Sequence, residues 1–161
     1  MRDSVRQKLQ HEIHQIDYML ESFQPLLDVT EVREPALIEL SALATVLHSF
    51  YGGVESIFST IGKGIDNRVP TGTKWHKDLL VQMSKPSDRR NAIVSDQQYR
   101  ILIGFLSFRH FFRNSYAYQL DWHQIQPPVA SIVETWNRLK TSLNSLVDVE
   151  DGPEMKSGET R

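Results

Sequence analysis

Between Phe108 and Trp122 the chain reads FRHFFRNSYAYQLDW, which sets Arg109 and Arg113 one helical turn apart among phenylalanines. At about 100° per residue, Leu102, Phe105, Arg109, Phe112, Arg113, Tyr116 and Leu120 share one broad face. Both guanidinium groups are therefore expected to point toward the apolar side. A buried guanidinium without a counter-charge is too costly to keep. It must pair with a buried carboxylate, face a wet cleft, or sit at a subunit interface. The acid best placed to pair is Glu55, which lies inside the apolar stretch of an earlier helix between Tyr51 and Phe58. A contact of Glu55 with Arg109 or Arg113 is expected. Two kinds of chemistry follow. One is a structural salt bridge packed by Phe108, Phe111 and Phe112, which by itself is weak evidence for stability. The other is a polar cleft for an anion such as an RNA phosphate, which guanidinium binds in a bidentate way. Tyr116 and Tyr118 could stack on bases there, although aromatic residues at helical spacing commonly belong to a core.

The histidines offer further candidates. His48 precedes Tyr51 and Glu55 on the same helix and could reach the arginine cleft, or serve as a hydrogen-bonded core histidine. His76 follows Trp75 in a short helical stretch and is a candidate base. His110 adjoins Arg109 and supports the same region. His11 and His14 flank Glu12 at a spacing that can hold a metal, but no further ligand cluster accompanies them, and no metal is expected. No phosphate-cradling glycine loop and no nucleophile elbow is present, so no cofactor is expected either.

The elements that must position these residues read as helices. Val5, Leu9, Ile13, Ile16, Leu20 and Phe23 recur at threes and fours and predict a helix over 4–24, ending near Pro25. Glu34-Pro35 opens a second helix, predicted over 35–62, in which Gly52-Gly53 permits either close backbone approach or a bend. Loops follow at GKGIDNRVPTGTK and SKPSDRRNAIVS, separated by a short helix over 75–83. Ser95 or Asp96 caps a helix predicted over 96–119, and Pro127-Pro128 opens the last, over 127–147. The fold class is all-α: an antiparallel four-helix bundle with an extra short helix in the long middle connection. Residues 1–148 form the helical domain, and the polar tail 149–161 is expected to be disordered.

Composition bounds the rest. The 161 residues suit one domain, and 40% apolar against 24% charged is an ordinary globular mixture. No run approaches the length of a membrane span, and the N-terminus is no secretory signal. The absence of cysteine excludes disulfides and thiolate chemistry and fits a reducing cytoplasm. A net charge of −2 exerts no global pull on nucleic acid, so any RNA contact needs a local basic patch.

Four stretches together resemble the HepT-like branch of the HEPN superfamily, the toxin half of HEPN/MNT toxin–antitoxin modules. They are the first amphipathic helix, LHSFYGGVESIF (47–58), PTGTKWHKDLLVQM (70–83) and FRHFFRNSYAYQLDW (108–122). The resemblance implies a helical bundle that forms a homodimer around a shared cleft, metal-independent cleavage of RNA, and a nucleotidyltransferase antitoxin as partner. It implies an arginine followed by a polar residue, with a histidine four to six positions after the arginine. Arg113-Asn114 fits the start of that motif, and Tyr118 stands where the histidine belongs; the next histidine is His123. Tyrosine, with an ordinary pKa of about 10, is a poor base beside histidine. In HepT relatives a tyrosine near the motif accepts AMP from the antitoxin. Tyr116 and Tyr118 are the nearest here, while the family spacing falls on Leu120. The alternative is a HEPN-like binding or antitoxin module that keeps the bundle and has lost the chemistry.

Overall fold

The computed structural model describes residues 3–116 and 119–148, and among these it contains five α-helices and no named strand. They are α1 (Asp3–Val32), α2 (Leu37–Gly64), α3 (Trp75–Met83), α4 (Asp96–Arg113) and α5 (Trp122–Asp148). The polar tail 149–161 lies outside the described residues.

Helix α2 is the axis of the bundle and touches each of the other four. Its residues Leu43, Ala44, Phe50, Val54, Ile57 and Ile61 have essentially no exposed surface. It is long and apolar enough to cross a membrane by length and composition, but most of its apolar positions from Leu40 to Ile61 are buried against neighbouring helices. Helix α1 runs antiparallel to it: Val5 lies against Gly64 and Ile16 against Gly53. A Cβ on Gly53 would stand 3.0 Å from Ile16, and one on Gly64 would stand 2.6 Å from Val5. The Gly52-Gly53 pair therefore makes no break in α2; Gly53 admits α1. Helix α5 runs antiparallel to α1, tied by Arg6 to the carbonyl of Val147 at one end. Further along, Asp17 accepts hydrogen bonds from Trp136 Nε1 at 2.6 Å and Lys140 Nζ at 2.8 Å.

Three helix boundaries differ from the sequence expectation. Helix α1 continues through Pro25 to Val32, because Leu27 prolongs the buried stripe of Ile13, Ile16 and Leu20. The carbonyl that Pro25 leaves without a donor belongs to exposed Glu21, where water can reach it. Helix α5 starts at Trp122 rather than at the prolines. The Asp121 carboxylate caps it by accepting from the His123 amide at 3.0 Å, and Ile125 in its first turn is fully buried. Pro127 and Pro128 sit in the second turn, and the carbonyls they free lie on exposed His123 and Gln124. Helix α4 stops at Arg113 rather than 119. Asn114 Nδ2 donates to the His110 carbonyl at 2.9 Å and Ser115 Oγ to that of Phe111 at 2.9 Å, so side chains take over the last carbonyls.

The middle connection is pinned by an ion pair that the loop sequences did not announce. Arg90, whose side chain has no exposed surface, donates from Nε to Asp66 Oδ1 at 2.9 Å and from Nη2 to Asp66 Oδ2 at 2.7 Å. Its remaining donors reach the carbonyls of Lys85, Asn91 and Gln82. Asp66 also accepts from Gln82 and Ser87. Burial opposes its ionisation, but the hydrogen bonds from Arg90, Gln82 and Ser87 outweigh that and hold its pKa below the ordinary carboxylate value. Leu79, Leu80 and Met83 of α3 are thereby held, fully buried, against the bundle.

Candidate functional site

Three helices converge on Glu55. This carboxylate belongs to the buried stripe of α2, between Tyr51 and Phe58, and only 9% of its side chain is exposed. Helix α3 brings His76, whose Nδ1 lies 2.5 Å from Glu55 Oε2. Helix α4 brings Arg109, with Nη2 3.6 Å from Glu55 Oε1 and Nη1 3.3 Å from His76 Nδ1. The expected pairing of Glu55 with an inward arginine is thus made by Arg109, and His76 joins it. Trp75 stacks on the His76 ring at a centroid distance of 3.7 Å and fixes its plane. At 2.5 Å from a carboxylate, Nδ1 carries the proton and donates it, so the ring cannot also accept from Arg109 there. Arg109 acts on the pair as a neighbouring charge.

His48, two turns before Glu55, lies beside the same arginine. Its ring packs against Phe112 at 5.2 Å, and its Nδ1 is buried with no hydrogen-bond partner. Arg109 Nε is likewise buried and without a partner. Burial first, then the nearby charges of Arg109 and Arg113, lowers the His48 pKa below its ordinary value. Tyr51 is shifted the other way: burial, with the Glu55 charge adding to it, raises its pKa above the ordinary value.

The other sequence candidates sit elsewhere. Arg113 is exposed rather than inward: the stripe of Leu102, Phe105 and Phe108 continues only through the partly buried Phe112, and Arg113 lies beside it. Arg113 is the last helical residue, where a cation is favoured by the unpaired carbonyls of the helix end. Asn114 follows as the helix cap, its side chain engaged with the backbone. His110 is exposed on the outer side of α4. Tyr116 is 70% exposed and so is no core residue. Tyr118 lies outside the described residues. His11 and His14 are both exposed on α1, and Glu12 accepts from Ser56 instead. Among the described residues no cluster of three or more His, Asp or Glu could hold a metal ion.

The Asp66–Arg90 pair and the bond from Asp17 to Trp136 were not foreseen, because their partners lie 24 and 119 positions apart and each residue alone reads as an ordinary surface group. The Glu55–Arg109 contact was legible because both break an apolar stripe.

An all-helical bundle in which a buried acid holds a partly exposed histidine and arginine near the end of the fourth helix defines the class. Residues 42–149 match the family model described as HepT-like protein, a span that covers most of α2, all of α3 to α5, and more than half of the chain. The chain therefore belongs to the HepT-like family of the HEPN superfamily. No curated protein and no solved structure gives a match.

Proposed function

We propose that this chain is a HEPN-type toxin that cleaves RNA without a metal ion in the cytoplasm, and that it is neutralised by an MNT-type nucleotidyltransferase. The family membership supports the toxin-type role. The observation that carries the site is the gathering of the Arg109 and Arg113 charges at the end of α4, both of which act on His48 to lower its pKa, in a chain whose net charge is slightly negative. That local positive field suits a phosphodiester. Arg113, exposed and unpaired among the described residues, is free to grip a phosphate oxygen in a bidentate way. Arg109, held in place by Glu55, adds a second charge to stabilise the pentavalent phosphate. Tyr116 and Tyr118 follow Arg113 closely in sequence, and aromatic rings there suit stacking on bases.

One observation favours a second reading. The motif histidine is replaced by Tyr118, and the amide of Asn114 is spent on capping α4. A HEPN-like module that binds a partner through the same end, without chemistry, would need neither. Purified protein incubated with tRNA and other RNAs in EDTA, beside Arg113→Ala, separates the two. Cleavage to 2′,3′-cyclic phosphate ends that is lost in Arg113→Ala supports the toxin. Equal cleavage by both proteins removes Arg113 from the site. If neither the wild type nor Tyr118→His, which restores the family spacing, cuts any RNA, the non-catalytic module is the better reading.

A further inference from the structure

The motif on α4 lacks a base, yet a histidine in a geometry suited to that task stands on α3. We propose that His76 is the general base of RNA cleavage in this chain, with Glu55 as its positioning residue; the proposal rests on the ribonuclease reading above. Glu55 Oε2 accepts a hydrogen bond from His76 Nδ1–H at 2.5 Å, which fixes the tautomer and leaves the lone pair on Nε2. Among the described residues Nε2 has no hydrogen-bond partner and is not among the buried unpartnered atoms, and 24% of the side chain is exposed. The atom that would take a proton therefore keeps contact with solvent, while the atom that orients the ring is engaged by Glu55. Trp75 closes one face of the ring by stacking on it, which removes the freedom to turn Nε2 away. The charged groups that face the ring are Glu55 from α2 and Arg109 from α4. Arg109 lies one turn before Arg113 on α4, so a phosphate held by the arginines comes to the same end of the bundle as His76.

A purely structural Glu–His–Arg tie would fasten α3 to the bundle equally well. It would have no need of an accessible Nε2. Moreover, α3 is already fastened by its buried Leu79, Leu80 and Met83 and by the Asp66–Arg90 pair. In the step proposed, Nε2 of neutral His76 takes the proton of a ribose 2′-hydroxyl. The O2′–P bond forms as the P–O5′ bond breaks, and the leaving 5′-oxygen takes a proton from solvent. His76 then returns its proton to solvent. The products are a 2′,3′-cyclic phosphate and a 5′-hydroxyl.

The test is kcat/KM against pH for the full chain on a labelled RNA oligonucleotide, with the His76 titration read by NMR in the same wild-type protein. The acid limb of kcat/KM is expected to follow that titration. His76→Gln should lower kcat/KM by about 100- to 10,000-fold and abolish the limb. It should still bind a 2′-deoxy analogue of the oligonucleotide as the wild type does. Glu55→Gln, which leaves the imidazole but frees its tautomer, should lower kcat while KM holds. An active wild type with an equally active His76→Gln overturns the proposal. So does an acid limb that does not track His76, a comparison that stands even where the variant fails to fold. A wild type that cuts no RNA overturns the ribonuclease reading and this inference with it, which is a different outcome from an active enzyme indifferent to His76.

Discussion

An ionised carboxylate inside a protein loses several kcal/mol of hydration, and it persists only where cations and hydrogen bonds replace the water. Glu55 meets that condition through His76 Nδ1 and Arg109 Nη2, which approach different oxygens of the same carboxylate. Glu55→Gln keeps the shape and removes the charge, leaving Arg109 facing a neutral amide. Stability is expected to fall by about 3 kcal/mol, as for one partner removed from a buried pair, measured by urea unfolding at neutral pH. His48 is the reverse case. Its folded pKa lies below the ordinary 6.5, so the unfolded chain takes up the proton first as pH falls. The stability present above pH 6.5 is then lost progressively as pH drops toward the folded value. His48→Phe, which keeps a ring against Phe112, should remove this contribution. Thermal melts at about pH 7.5 and about pH 5.5 should show a smaller loss for the variant than for the wild type. Equal losses in the two proteins would mean that His48 is not the responsible group.

The helices are held at close range by small residues in chosen places. Gly52 and Gly53 are neighbours in α2, but a Cβ on Gly52 would meet nothing within 4 Å, whereas one on Gly53 would press on Ile16. Gly52→Ala is therefore expected to raise stability by up to about 1 kcal/mol through helix propensity alone. Gly64→Ala would drive a methyl to within 2.6 Å of the stiff, branched Val5 and should cost about 1–3 kcal/mol. Calorimetry on the two variants reads both signs. The middle connection depends on charge instead. Asp66→Asn breaks the bidentate acceptance of Arg90, whose side chain is wholly buried. Amide exchange in α3 and in residues 85–94 should then accelerate more than exchange in α1 and α5, because the pair fastens only that region. Uniform acceleration would show that the clamp supports the whole bundle instead.

At the scale of the molecule, one end of the bundle remains uncovered. Phe111 and Tyr116 are 36% and 70% exposed beside Arg113. An isologous pairing through this end would bury the rings and bring two copies of Arg113 to one anion site, as the family resemblance implies. Light scattering at high micromolar concentration in moderate salt is expected to give twice the 18.6 kDa chain mass, and Phe111→Glu to shift it toward the monomer. A monomeric wild type would count against the dimer. The amino-acid sequence determined the helical class, the core faces and the pairing of Glu55 with an arginine. Those follow from periodicity and from the cost of leaving a charge alone among apolar side chains. Local rules also marked the elements, but they misplaced the ends at Pro25, Gln119 and Pro127. Whether a helix survives a proline or outlasts an asparagine depends on what its next turn can bury. Which arginine turns inward was decided only by packing: Arg109 reaches Glu55 of α2 and His76 of α3, while Arg113, one turn later, is left exposed. The meeting of His76 with Glu55 and of Arg90 with Asp66 belongs to the tertiary structure as well, since nothing near His76, Arg90 or Asp66 in sequence names its partner and only the folded chain brings the groups within hydrogen-bonding range.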